Sequence, residues 1–370
     1  MGEVHGLQVG AVDAISGYLQ SKRSTNGPRI FMKLPEWAPG WFPGAVCEVF
    51  SSVYGLPESG FEFAIFVKNI LLKIGYTEYE NFPGLFYREI DGKKSFVGCY
   101  VDDLWLVGSS VADMVSELNA NGLKVAEPEL LKDGLKYNGV ETIDDGTNII
   151  DHMQRYTNLL IDDYKTQTAK QVLKIVDTPG LASLNVEKYL EPSALLGTAD
   201  YDPHSLVASC LYLQRLSRPD ISFAVSFLCR QIHCWSVGAD MQLERLISYL
   251  ESTNDLSIYN PKPTKPIVTG REMIEFLSDA DLGGDLLSSR SSGGDVCYLS
   301  FEMTDGSRQR WIIAWSSKLL SQKATSTPWS ECSAHHRALC DRALPLSLFL
   351  EDAQGFVCPV RGQCDNSPII

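Results

Sequence analysis

The sequence predicts an α+β fold, with a sheet and helices toward the N-terminus, a small helical middle, and a second sheet-and-helix region toward the C-terminus. Three observations predict it. The run Ser95-Phe-Val-Gly-Cys-Tyr-Val-Asp-Asp-Leu-Trp-Leu-Val-Gly108 is apolar and rich in β-formers on both sides of Asp102-Asp103, the pattern of a β-hairpin with a tight turn. From Leu206 to Leu228 the apolar residues recur at helical spacing, interrupted at Pro219. Near the C-terminal end Ser326-Thr327-Pro328-Trp-Ser-Glu331 opens a helix, with Thr327 a suitable N-cap and Pro328 a suitable first helical residue.

At the N-terminal end Leu7-Gln-Val-Gly-Ala-Val12 is a short apolar stretch that ends on Asp13. Two further aspartates stand at the hairpin turn. Buried unpaired, they would be costly, so they need a cation, an exposed turn or hydrogen-bond donors. Aspartate is also an ordinary turn former, which accounts for the pair without any chemistry. Beyond the turn, Glu331, Ala334 and Ala338 share one helix face, so a carboxylate accompanies small residues that allow close packing on a sheet. Such a glutamate needs a partner or a metal, unless it is exposed near the helix N-terminus and stabilised by the dipole.

Composition sets bounds. The 370 residues are 44% hydrophobic, enough for several cores and two or three domains. Ten cysteines are scattered without framework spacing, which argues against a disulfide-stapled secreted fold and for reduced thiols in an intracellular setting. Cys229-Arg-Gln-Ile-His233-Cys234 lacks a second ligand pair at usable spacing and reads as packing. The densest apolar run, Leu344 to Leu350, is far too short to span a membrane. Met1-Gly2 is followed by Gly6 rather than Ser or Thr, so it is not a myristoylation signal. The net charge is −14, and residues from 271 onward carry nine Lys/Arg against thirteen Asp/Glu. Proteins that grip phosphate backbones usually present basic grooves, although a local basic track depends on distribution.

The motifs in order resemble a known family. Asp13-Ala-Ile-Ser-Gly-Tyr18-Leu-Gln is similar to Asp-Val-Lys-Ser-Ala-Phe-Leu-Gln of copia-type retrotransposon reverse transcriptases. Val53-Tyr-Gly-Leu-Pro-Glu-Ser-Gly60 resembles their Leu-Tyr-Gly-Leu-Lys-Gln block, and Tyr100-Val101-Asp102-Asp103 their Tyr-Val-Asp-Asp. Leu135-Lys-Tyr-Asn-Gly139, Gln154-Arg-Tyr156, Ser209-Cys-Leu-Tyr-Leu213, Arg218-Pro-Asp-Ile221 and Arg245 to Thr253 resemble later segments of the same family. Phe276-Leu-Ser-Asp279-Ala-Asp281 resembles the opening of its ribonuclease H domain, followed by matches at Arg290 to Gly294, Trp315 to Lys318 and Cys364-Asp365-Asn366.

The resemblance implies a palm-type antiparallel sheet with helices and the start of a thumb over residues 1–185, a connection region over 186–270 and a C-terminally truncated ribonuclease H-like domain over 271–370. It implies an RNA-directed DNA polymerase and ribonuclease H, a nucleotidyltransferase and hydrolase acting by two-metal phosphoryl transfer. Catalysis would fall to Asp13, Asp102 and Asp103 for synthesis, with the backbone at Val101 a neighbouring ligand, and to Asp279, Glu331 and Asp365 for hybrid cleavage. Each site would take two Mg²⁺ or Mn²⁺ ions, about 3.5–4 Å apart, held by oxygen ligands. Gly17, Tyr18 and Glu58 would contact the nucleotide, Tyr18 excluding a 2′-hydroxyl; without the flanking motif Tyr18 reads as an ordinary buried aromatic. Expected partners are an RNA template, a DNA primer, the RNA–DNA hybrid, deoxynucleoside triphosphates and the integrase part of a shared polyprotein, with no membrane. The expected location is intracellular, in a cytoplasmic or nuclear element particle.

Departures from the pattern accompany the matches. Twelve residues precede Asp13 and five follow Asp365, so the fingers and the last ribonuclease H helix with its fourth ligand are expected to be missing. Glu58 puts a charge where the family has a neutral amide, and Phe61 and Phe63 replace an Arg and a Trp. A catalytically inactive remnant of such an element, folded or partly folded, and a non-catalytic nucleic-acid-binding module are the alternative readings. The acidic balance argues against the second.

Overall fold

The computed structural model describes residues 6–24, 27–35, 37, 44–181, 186–195, 201–285 and 288–365. The chain divides into two compact units, Met1–Asn138 and Gly139–Ile370.

The first unit contains β1 (Gln8–Asp13), α1 (Gly17–Gln20), β2 (Phe31–Lys33), β3 (Val46–Glu48), α2 (Ser59–Lys73), β4 (Thr77–Glu78), β5 (Leu85–Ile90), β6 (Lys93–Tyr100), β7 (Asp103–Gly108), α3 (Val111–Ala120), β8 (Glu129–Leu130) and β9 (Leu135–Tyr137). Six of these strands form one antiparallel sheet in the order β4-β5-β6-β7-β1-β8. Burial along β7 alternates, with Leu104, Leu106 and Gly108 inside, as the period of two requires when one face is covered. The cover comes from α2 and α3, whose Phe63, Val67, Leu71, Met114 and Leu118 share a core with Val12, Leu104 and Leu106. Ser110 starts α3 by accepting a hydrogen bond from the Asp113 N–H at 3.2 Å.

The hairpin lies where the sequence puts it, but its carboxylates divide. Tyr100 pairs with Asp103, so the turn is Val101-Asp102, and Asp103 is already the first residue of β7. Val101 has φ 56°, the left-handed region that two-residue hairpin loops favour and β-branched residues avoid.

The second unit contains β10 (Val140–Asp144), β11 (Asn148–His152), α4 (Gln154–Thr168), α5 (Val186–Leu190), α6 (Pro203–Leu216), α7 (Ser222–Gln231), α8 (Val237–Ser252), β12 (Ile258–Pro261), β13 (Met273–Ala280), β14 (Ser292–Glu302), β15 (Arg308–Leu319), α9 (Thr327–Ala338), α10 (Leu344–Gln354) and β16 (Val360–Gln363). The proposed boundaries at 185 and 270 both fall inside this unit, for a packing reason. Leu160, Ile161 and Tyr164 of α4 join the core of α6, α7 and α8 around Leu206, Leu213, Leu228 and Leu246. The helical region is in turn tied to the following sheet. Trp315 Nε1 donates to the Gln214 carbonyl at 2.7 Å, and Arg230 pairs with buried Asp285 at 3.1 Å.

The Pro219 interruption is a short 3₁₀ turn, Pro219–Ile221, between α6 and α7. The C-terminal sheet has the order β15-β14-β13-β16. Its first three strands are antiparallel, and β16 returns parallel to β13 with Ile274 opposite Val360. The N-cap of α9 is Ser326, whose hydroxyl accepts from the Trp329 N–H at 3.4 Å, rather than Thr327. His233 and Cys234 are exposed, so the packing expected there extends no further than half-buried Cys229. Among the described residues no helix is long and apolar enough to cross a membrane.

Candidate active site

Two groups of acidic side chains answer to the residues picked out in the sequence, one in each unit. In the first, Asp13 closes β1 and stands directly opposite Asp103 across the β1–β7 pair. The register carries into the turn, where the Ala14 N–H donates to the Asp102 carbonyl at 2.8 Å. Directly opposed residues on antiparallel strands share a face, so the strand pairing itself gathers these acids. Burial, followed by the carboxylates of Asp102 and Asp103, holds the Asp13 carboxyl above its ordinary range. Burial also raises Asp103, against the Asn138 N–H that donates to its Oδ2 at 3.1 Å. None of the three forms an ion pair among the described residues.

The surrounding residues come from α1 and α2. Gly17 is buried, and a Cβ there would lie 3.2 Å from both Asp102 Cβ and the Phe63 ring. Gly17 thus lets α1 approach the turn. Tyr18 is half-buried, edge-on to Phe63 at 5.9 Å and tilted against Tyr54 at 4.7 Å. Glu58 precedes α2 and pairs with Arg23 at 3.4 Å. That partner answers the unfavourable charge expected at Glu58, and the sequence alone did not single it out. The Arg23 guanidinium is almost wholly buried, and also donates to the Val49 carbonyl at 3.4 Å. Val101 is exposed at the tip of the turn.

In the second unit, Asp279 near the end of β13, Glu331 on α9 and Asp365 beyond β16 offer carboxylate oxygens that all lie within 4.8 Å of one another. Among the described residues no other set of three acidic, His or Cys ligands gathers so closely. Small residues make this possible. Ala334 and Ala338 are fully buried, and a Cβ on Gly293 would come within 2.9 Å of Ala334, so α9 sits close on the sheet. Glu331 is 6% exposed and its Oε2 has no hydrogen-bond partner. Asp279 Oδ1 accepts from the Ala280 N–H at 2.8 Å. Asn366 lies outside the described residues.

Near this group, Asp295, His335, Arg337 and Arg342 carried no sequence signal. Buried Asp295 on β14 pairs with Arg337 at 3.2 Å and Arg342 at 3.0 Å, and accepts from Ser316 at 2.8 Å. The Ser278 hydroxyl meets His335 Nδ1 at 2.9 Å, one turn along α9 from Glu331. Beside Asp279 opens a cleft of about 470 Å³, lined also by Asp220, Phe223, Asp281 and Trp315. A set of carboxylate oxygens with one buried oxygen unpartnered matches the donor preference of a hard divalent cation.

Comparison with known proteins bears on the first unit directly. Residues 2–176 match the family model for reverse transcriptase (RNA-dependent DNA polymerase). The chain is 25% identical over 367 residues to the retrovirus-related Pol polyprotein from transposon RE2 of Arabidopsis thaliana, 96% of this chain and 23% of that protein. The polyprotein from transposon RE1 of the same plant matches at 25% over 367 residues, 96% of this chain and 22% of that one. A putative transposon Ty5-1 protein of Saccharomyces cerevisiae is 26% identical over 306 residues, 80% of this chain and 90% of that protein. The chain therefore spans less than a quarter of the two plant polyproteins. The antiparallel sheet and its acidic hairpin thus lie within the residues that match the reverse transcriptase family model, in a chain similar along most of its length to retrovirus-related Pol polyproteins of transposons.

Proposed function

We propose that this chain performs RNA-directed DNA synthesis at Asp13, Asp102 and Asp103, and cleaves the RNA of RNA–DNA hybrids at Asp279, Glu331 and Asp365. The observation that carries the reading is the direct opposition of Asp13 and Asp103 across β1 and β7, inside the segment matched to reverse transcriptase. Catalysis of phosphoryl transfer is mostly positioning and charge neutralisation, and this placement suits both.

Asp13, Asp102 and Asp103 would hold Mg²⁺ or Mn²⁺ for synthesis; Asp279, Glu331 and Asp365 would hold them for cleavage. Bound there, the ions supply neutralisation of the attacking and leaving oxygens of an in-line displacement. The remaining work falls to the chain. Tyr18 flanks the acidic group and packs under the sugar of a bound nucleotide, which excludes a 2′-hydroxyl by contact. Gly17 keeps the main chain close to the Asp102 turn, and Arg23 neutralises Glu58 so that the charge departure there does not repel a triphosphate. The parallel return of β16 beside β13 brings Asp365 to the same end of the sheet as Asp279, which supports the ribonuclease H reading of the second unit. The nucleic-acid substrates, and an integrase part in a longer polyprotein, are proposed with it.

A second reading, a chain that keeps the fold without polymerase chemistry, is favoured by one observation. The acids that lie within 4.8 Å of one another are those of the second unit, not Asp13, Asp102 and Asp103. Primer extension on poly(rA)/oligo(dT) with Mg²⁺ or Mn²⁺ separates the two. Metal-dependent incorporation abolished by Asp102→Asn is expected; no incorporation, or incorporation that survives the substitution, refutes the polymerase reading.

A further inference from the structure

Tyr18 is held from two sides, and the two sides differ in kind. On one side Phe63 of α2 is 1% exposed, with its ring 5.9 Å away and edge-on. That contact is part of the core, and a close-packed core fixes it. On the other side stands Tyr54, whose ring is 4.7 Å from Tyr18 at 31°. Tyr54 is 59% exposed, in the segment between β3 and α2. Its hydroxyl lies within the field of Asp102 and Asp13. Gly60, in the first turn of α2, leaves room for the Tyr18 hydroxyl, since a Cβ there would stand 3.4 Å from it.

Phe63, Tyr18 and Tyr54 therefore form a ladder of rings running from the core to the solvent beside the acidic hairpin. Removing the inner ring would disturb the fold. Removing the outer ring frees Tyr18 to turn toward solvent, the side from which a nucleotide arrives. An exposed aromatic whose ring packs against a site residue has a stronger reason to be there than surface burial.

We propose that Tyr54 is a positioning residue for sugar selection, clamping the Tyr18 ring against Phe63 so that it faces the 2′ position of the incoming nucleotide. The inference rests on the polymerase reading and adds to it a residue outside the acidic group. The stack at 4.7 Å acts on the Tyr18 ring itself, and so restricts it directly.

The test uses the full chain with an RNA template and a dideoxy-terminated DNA primer in Mg²⁺, and measures equilibrium binding of dTTP and UTP. Blocking the primer removes chemistry from the readout. Tyr54→Ala is expected to cut the preference for dTTP over UTP roughly three- to tenfold, the worth of one aromatic pair. The loss should come mainly from tighter UTP binding. Tyr54→Phe keeps the stack and should keep the preference. Tyr54→Leu should lose it as Ala does, and serves if the Ala variant melts early. An unchanged preference in both Ala and Leu variants overturns the inference and leaves the polymerase reading intact. Equal loss in Tyr54→Phe also overturns it, because the stack is then not what positions Tyr18. If wild-type protein retains neither nucleotide, the polymerase reading fails, and the inference falls with it.

Discussion

Three carboxylates that form no ion pair among the described residues store repulsion, and Asp102→Asn should release it. Asp102 acts on both of the others: its charge raises Asp13 and Asp103 alike. The substitution is clean, because the Asp102 group that holds the turn is its carbonyl, bonded to the Ala14 N–H at 2.8 Å. The carboxylate makes no hydrogen bond among the described residues. Two unit charges about 5 Å apart in a water-like dielectric repel by about 0.8 kcal/mol. Asp13 is exposed and Asp102 half-buried, so solvent screening keeps each pair near that figure rather than several-fold higher.

Two such pairs amount to about 1–2 kcal/mol at low salt, or a rise of roughly 3–8 °C in melting temperature. Calorimetry of the metal-free protein in EDTA checks this, and the gain should shrink in 1 M salt, where the screening length falls to about 3 Å. Wild-type protein should then be stabilised by added Mn²⁺, by about 2.7 kcal/mol at a hundredfold excess over the dissociation constant. The variant should lose most of that gain. A variant that melts lower than wild type in EDTA, or that keeps the full Mn²⁺ response, would refute the reasoning.

In the second unit, Glu331→Gln removes a buried charge whose Oε2 lacks a partner. It should stabilise the metal-free protein by about 1–2 kcal/mol while reducing its Mn²⁺-induced melting shift; a shift equal to wild type would count against a metal role for Glu331. Burial holds the His335 imidazole below its ordinary range. As pH falls, the unfolded chain takes up the proton first, near pH 6.5, so the stability that neutral His335 contributes is complete above that pH and is lost below it. Melting temperature should therefore fall more steeply between pH 6.5 and 5 in wild type than in His335→Gln, and parallel curves would contradict this. Gly17→Ala places a methyl 3.2 Å from Asp102 Cβ and the Phe63 ring, and overpacking of that kind should cost about 1–3 kcal/mol in urea titration. A variant as stable as wild type would show that α1 yields without cost.

Local patterns were legible where a single segment carries its own signal. The hairpin of β6 and β7 is written in apolar runs on both sides of two acids, and the 3₁₀ break at Pro219 in a residue that cannot continue a helix. The opposition of Asp13 and Asp103 was not legible from pattern, because a register between strands some ninety residues apart is set by the whole sheet. The same limit hid the division at Asn138. The resemblance at Gln154-Arg-Tyr156 points to the start of α4, but not to its apolar face closing the core of α6, α7 and α8. The shift of the α9 cap from Thr327 to Ser326 is smaller in kind, since adjacent hydroxyl residues compete for one role.

The net charge of −14 was plain, and the placement of the basic residues gives it a sharper meaning. Many Lys and Arg side chains are committed inside their own unit. Arg88 forms a two-pronged pair with Glu117 at 2.8 Å, Lys170 meets Glu244 at 2.6 Å, and Lys262 meets Asp144 at 2.6 Å. Arg218 is buried against Asp220 at 2.7 Å, and Arg337 and Arg342 converge on Asp295. A guanidinium held in such a pair would have to give up its carboxylate before it could grip a phosphate, and for a buried pair that leaves a charge uncompensated. On the proposed reading, attraction for a nucleic-acid backbone therefore comes less from an open basic groove than from cations held at the two acidic groups. Among the described residues these carboxylates form no ion pair with Lys or Arg, so the same residues that repel a bare phosphate become its anchor once divalent ions are bound.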